Sequence, residues 1–152
     1  MNINYVDYSI GTKSLDIFFA GCNNRCEDCC NPELMSFENG KDYKEWYPTI
    51  DKYLKEYSSL IENMILVGGS PTHQNLEEME DFLKRIKANF PQVSIFLFCG
   101  EWITEVPLLF KYYCDYIKCG AYLPNLKCDN NYQYGIKLAT SNQKIFKKGL
   151  DY

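Results

Sequence analysis

Short apolar runs and segments of helical period follow one another along this chain, and their order predicts an α/β fold. Residues 15–20, 64–67, 93–98 and 116–118 read as short central strands, each closing at a glycine or a Cys-Gly pair. Residues 3–10 alternate in part and predict an N-terminal edge strand. Two longer segments carry helical spacing. Trp46, Ile50, Tyr53 and Leu54 can share a face over 42–58, and Leu76, Met79, Phe82, Leu83 and Ile86 form a stripe over 75–89. In the second segment the acids Glu77, Glu78, Glu80 and Asp81 precede the bases Lys84, Arg85 and Lys87, the order a helix dipole favours. Glu80–Lys84 and Asp81–Arg85 add i,i+4 pairs. A short helix is expected over 105–113, and the tail reads as a hairpin of 135–139 with 143–146.

This alternation predicts a mainly parallel sheet with flanking helices, in a single domain spanning 1–152. Right-handed crossovers bring the carboxyl ends of parallel strands to one edge, and ligands bind at that edge. Cys22, Gly68-Gly69, Cys99-Gly100 and Lys118-Cys119-Gly120 each follow such an end. The candidate chemistry therefore converges before any motif is invoked.

Cys22, Cys26 and Cys29 form a C-x3-C-x2-C loop. Three thiolates so close can hold three corners of one iron–sulfur cube and leave the fourth iron open. An open iron binds a substrate molecule, whereas a cluster closed by four cysteines only passes electrons. The spacing matches neither ferredoxin run. A zinc site completed by a distant cysteine is the alternative, but zinc sites use four N/S ligands and the sole histidine is His73. Cys30 is a poor fourth ligand, because adjacent side chains on extended backbone point to opposite sides. Gly68-Gly69 serves either a tight turn or the close approach of a ligand. Lys118 reads either as a snorkelling lysine or as a cation at the ligand edge. His73 has no evident partner and reads as a loop residue, not a base. Cys99, Cys114, Cys119 and Cys128 are spaced too irregularly for a second metal site and read as buried thiols. The abundant Tyr and Phe residues read as core packing.

The cysteine loop after an apolar strand resembles the signature of radical S-adenosylmethionine enzymes. In particular the chain resembles the small activating proteins of anaerobic (class III) ribonucleotide reductase. The shared features are a Phe-rich strand ending at Gly21-Cys22, Asn31-Pro32-Glu33, the turn Gly68-Gly69-Ser70-Pro71, and Ser141-Asn142-Gln143. The resemblance implies an incomplete, TIM-like radical-SAM barrel holding a 4Fe–4S cluster on Cys22, Cys26 and Cys29. It implies that Asp28 and Cys30 lie beside the nucleoside of S-adenosylmethionine, and that Gly68, Gly69 and Ser70 meet its amino group. The family commonly has an acid where Ser70 stands. Lys118 would pair with the methionine carboxylate. The implied reaction is reductive cleavage of S-adenosylmethionine to methionine and a 5′-deoxyadenosyl radical, which installs a glycyl radical on the reductase. No side chain is required as general acid or base; an external donor such as flavodoxin or ferredoxin supplies the electron. Two alternatives stand beside this reading: a radical enzyme acting on another glycyl-radical protein or a small molecule such as a pterin, and a non-enzymatic metal or electron-transfer module.

Size and charge narrow the picture. The 152 residues fall short of a complete TIM barrel, which takes roughly 250. A net charge of -4 argues against nucleic acid as the main partner. The lysines from Lys118 onward read as a solvated surface or as a docking patch for an acidic partner. No signal peptide or membrane span is evident, and eight cysteines without a secretion signal favour metal binding or reduced thiols, so a cytoplasmic protein is expected.

Overall fold

Alternation along the inner strands gives one sheet two apolar faces of different character. The computed structural model describes every residue except Arg25, Glu27, Asp28 and Cys30. Strand β1 (Asn2–Ser9) pairs antiparallel with β2 (Ser14–Phe19), with Val6 opposite Ile17, and the short β3 (Lys41–Asp42) lies outside β1. The chain then runs through helix α1 (Tyr47–Glu56), β4 (Asn63–Gly68), helix α2 (Leu76–Asn89), β5 (Ser94–Phe98), helix α3 (Leu108–Tyr113) and β6 (Tyr116–Cys119). Strands β7 (Tyr132–Gln133) and β8 (Ile136–Lys137) form a small hairpin, and β9 (Lys144–Lys147) returns to the main sheet.

The sheet order is β3-β1-β2-β4-β5-β6-β9. Strands β2, β4, β5 and β6 run parallel, as the helical crossovers require. The pairings of β1 with β2, β1 with β3 and β6 with β9 are antiparallel. The sheet is therefore mixed, not mainly parallel: a parallel centre carries antiparallel margins wherever the connection is too short for a helix or returns along its neighbour. Residues 3–10 lie one strand in from the margin, because Lys41 and Asp42 cover β1.

Leu15, Ile17 and Phe19, Met64 and Leu66, Ile95 and Leu97, and Ile117 are buried in one core with the helices. Their alternates Ile65, Val67, Phe96 and Phe98 belong to a second, smaller cluster with Ile136, Leu138 and Ile145. The two-residue period thus sorts each strand between the two clusters. Among the described residues no helix is long and apolar enough to cross a membrane.

Helix α2 is capped by Asn75, whose side chain accepts from the amides of Glu77 and Glu78 at 3.0 and 3.1 Å. Its buried stripe is Met79, Phe82, Leu83 and Ile86; Leu76, expected in that stripe, is 42% exposed at the first turn. The expected Asp81–Arg85 pair gives way to contacts between elements. Arg85 forms a bidentate bridge to Asp51 of α1 at 2.9 and 2.6 Å, and Asp81 accepts from the Tyr43 hydroxyl at 2.9 Å. A part-buried fork outweighs an exposed i,i+4 pair. The expected tail hairpin also differs. Residues 136–137 pair back onto 132–133, while 144–147 leave them to pair with β6.

Candidate functional site

The cysteine loop leaves the carboxyl end of β2 and is held from both sides by backbone. The Gly21 amide donates to Leu34 O at 2.7 Å and the Cys22 amide to Met35 O at 3.2 Å. Across the sheet, the Gly69 amide donates to Phe19 O at 2.8 Å and the Ser70 amide to Gly21 O at 2.9 Å. This close approach explains Gly69: a Cβ there would stand 2.4 Å from Gly21 O and 2.7 Å from Leu34 O. Backbone fills that space, so packing between the cysteine loop and the turn accounts for the glycine without a ligand.

A side chain completes the joint. Gln74 is 6% exposed, and its amide donates to Ala20 O and Gly21 O at 3.1 Å each and to Ser70 O at 3.0 Å. His73 holds the next residue along. Its Nδ1 accepts from the Asn23 amide at 3.0 Å, so its proton sits on Nε2, 2.8 Å from Glu101 Oε1. Thr72 Oγ1 donates to the same Glu101 oxygen at 2.8 Å and lies 2.9 Å from Ser70 Oγ. Neither Gln74 nor Glu101 stands out in the sequence, and His73 does have a partner after all. The one signal for Glu101 is that it follows a strand-ending Cys-Gly.

Between the cysteine loop and the ends of β4, β5 and β6 lies a cavity of about 420 Å³. Cys22, Cys26 and Cys29 share its wall with Gly68, Gly69, Ser70 and Lys118, and the 120–122 and 139–143 segments close another side. The predicted site residues are thus brought together, apart from Asp28 and Cys30, which lie outside the described residues. Burial, opposed by a backbone hydrogen bond at Asn24, raises the Cys22 thiol, and the nearby Cys26, Cys29 and Glu101 add to the rise. The Asn24 amide donates to the Cys22 sulfur at 3.3 Å. The Lys118 ammonium donates to Gly120 O at 3.0 Å.

Three soft thiol donors lining one cavity with a lysine and a glycine turn fit an iron–sulfur group and a small polar ligand. Among the described residues, no three His, Cys, Asp or Glu side chains are gathered tightly enough to hold a metal ion. The fit therefore lies in donor type and shared wall.

Cys99, Cys114 and Cys119 are buried thiols as expected, whereas Cys128 is only half-buried. Cys99 and Cys119 sit side by side at the ends of β5 and β6, both buried. The neighbouring Cys119 thiol and burial hold the Cys99 thiol well above its ordinary range, and it donates to Lys118 O at 3.4 Å. Cys114 is fully buried, which pushes its thiol up as well.

Comparison with known proteins identifies a family and a relative. The model of the 4Fe-4S single cluster domain family matches residues 10–120, which hold β2, β4, β5, β6 and the cysteine loop. The chain belongs to this family. It is also 32% identical over 113 residues to the anaerobic ribonucleoside-triphosphate reductase-activating protein of Enterobacteria phage T4, a match covering 72% of this chain and 71% of that protein. No solved structure matches.

Proposed function

We propose that this protein is an activase that binds a 4Fe–4S cluster at Cys22, Cys26 and Cys29 and uses S-adenosylmethionine to install a glycyl radical on an anaerobic ribonucleotide reductase. The carrying observation is the single cavity on which the three thiols meet the Gly68-Gly69-Ser70 turn and Lys118. The phage relative, an activating protein for such a reductase, supports the choice of partner. The open sheet then serves as an incomplete radical-SAM barrel, and the reduced thiols suit a cytoplasm poor in oxygen.

When bound, the cluster and S-adenosylmethionine supply the one-electron chemistry that breaks a carbon–sulfur bond to give methionine and a 5′-deoxyadenosyl radical. The chain's part is to hold and orient. Cys22, Cys26 and Cys29 act as thiolate ligands, and the Asn24 amide steadies the Cys22 sulfur. The Gly68-Gly69-Ser70 backbone would hold the amino group of the ligand, and Lys118 would pair with its carboxylate. Asp28 and Cys30, outside the described residues, are assigned to the nucleoside by the family resemblance alone. A flavodoxin or ferredoxin is the external donor. No general acid or base is needed.

A closed four-thiolate site would require a further cysteine at the same wall. Among the described residues Cys99 is the other cysteine lining the cavity, but its thiol donates to Lys118 O. Electron paramagnetic resonance of the anaerobically reconstituted, reduced protein tests the proposal. A cluster signal that changes shape on adding S-adenosylmethionine is expected, together with a glycyl radical on the co-incubated reductase. Cys22→Ser should lose the cluster and Cys99→Ser keep it. A signal indifferent to S-adenosylmethionine would turn the reading towards an electron-transfer module.

A further inference from the structure

We propose that His73 and Glu101 are positioning residues of the cysteine loop: His73 pins the peptide after Cys22, and Glu101 orients His73 and holds a negative charge behind that thiol. The inference rests on Cys22, Cys26 and Cys29 being the cluster ligands. Together the two residues hold the cluster at a low reduction potential.

The geometry is a relay of short contacts between segments far apart in sequence. The Asn23 amide reaches His73 Nδ1 at 3.0 Å, His73 Nε2 reaches Glu101 Oε1 at 2.8 Å, and Thr72 Oγ1 reaches that oxygen at 2.8 Å. The Glu101 backbone is tied as well, its carbonyl accepting from the Gly120 amide at 3.2 Å. The side chains of His73 and Glu101 are 17% and 20% exposed, so these contacts are largely shielded from water.

Two features go beyond what holding a loop requires. The second carboxylate oxygen of Glu101 is buried and has no hydrogen-bond partner among the described residues. Leaving half a carboxylate unsatisfied is costly, and a neutral amide in its place would accept from His73 and Thr72 equally well. The charge is therefore the distinguishing property, and His73 links it to the Asn23 amide next to Cys22. Second, His73 occupies the Asn23 amide. Amides that donate to cluster or cysteine sulfurs raise a cluster's potential, as does removal of nearby negative charge. With the Asn23 amide facing His73, the Asn24 amide is the described one that reaches the Cys22 sulfur. Both residues thus act in the same direction, disfavouring the extra electron and making the reduced cluster the stronger reductant.

The test uses the full chain reconstituted anaerobically as wild type, Glu101→Gln and His73→Phe, with Glu105→Gln as a charge control. Glu105 lies on the neighbouring turn, where it accepts from the Trp102 amide at 3.0 Å. Iron content, thermal melting and the cluster midpoint potential are read for each. Glu101→Gln keeps an oxygen to accept from His73 and Thr72, its NH2 taking the place of the unpartnered Oε2, and His73→Phe keeps an aromatic ring while freeing the Asn23 amide. Both are expected to retain iron and to favour reduction roughly tenfold, an upward shift of about 59 mV for one electron. Glu105→Gln should match wild type. Iron-loaded variants with the wild-type potential, or an equal shift in Glu105→Gln, would overturn the inference alone. A folded wild type that takes up no iron would overturn the cluster reading and the inference with it.

Discussion

The side-chain amide of Gln74 donates to the carbonyls of Ala20, Gly21 and Ser70, which belong to two different segments of the site. No apolar residue can replace it there without leaving buried carbonyls short of a donor. Gln74→Leu is therefore expected to cost about 2 kcal/mol. The urea midpoint should fall with an unchanged slope, and the reconstituted protein should lose iron to a chelator faster. A wild-type midpoint would show that the three contacts contribute nothing net. Residues of this kind were hard to foresee. Cys22, Cys26 and Cys29 are legible because a short-range spacing carries their chemistry, and the cavity brings them together. Gln74, through Ala20 and Gly21, and the His73–Glu101 pair depend on partners 28 to 54 positions away, for which spacing gives no signal. Gly69 was legible as a special position, but its demand comes from the backbone of Gly21 and Leu34.

At the scale of elements, the 120–147 segment closes the cavity with little regular structure of its own. Gln143 organises it: its Oε1 accepts from the Ala139 and Thr140 amides at 3.0 and 3.3 Å, and its Nε2 donates to Gly120 O at 3.3 Å. Asn142 adds a bond to Ala121 O at 3.0 Å. The Ser141-Asn142-Gln143 sequence is thus a strap that ties the tail to the end of β6. Gln143→Ala should speed amide exchange at Ala139 and Thr140 several-fold while the amides of β4 and β5 stay protected, because the loss is local. Exchange that rises uniformly would instead mark a global destabilisation. The central strands and α2 were legible because apolar period and capping agree over many residues. The tail was not, because strands of two residues carry no period, and β9 places Ile145 and Phe146 in different apolar clusters. The pairing of β9 with β6 is decided by those two clusters and not by the turn before it.

Over the whole molecule, charge serves the fold locally. Lys137 pairs with Asp129, Lys144 and Lys147 lie over the rings of Phe146 and Tyr116, and Lys148 donates to Tyr112 O. The acidic balance and the lysine-rich tail hint at partners, but their structural use is short-range. Buried phenols couple global stability to pH more directly. Burial, with the charge of Asp81 next, raises Tyr47 from 10.0 to about 12, against the smaller opposing effect of Arg85, whose guanidinium lies 3.9 Å from the ring centroid. Tyr43, beside the same carboxylate, and Tyr152 are raised further, with burial as the largest cause. In each case the folded state favours the neutral phenol, while the unfolded chain ionises near the ordinary value. The sign follows from linkage: this stability is fully present below pH 10 and is lost as pH rises from about 10 to about 12, where the unfolded chain has released protons the folded one keeps. Urea midpoints measured across that range should fall for the wild type and fall less steeply for Tyr47→Phe, which has no proton to lose. Because both chains share the same lysines, the difference between their slopes isolates the phenol; parallel slopes would mean that Tyr47 ionises as freely in the folded protein as in the unfolded chain.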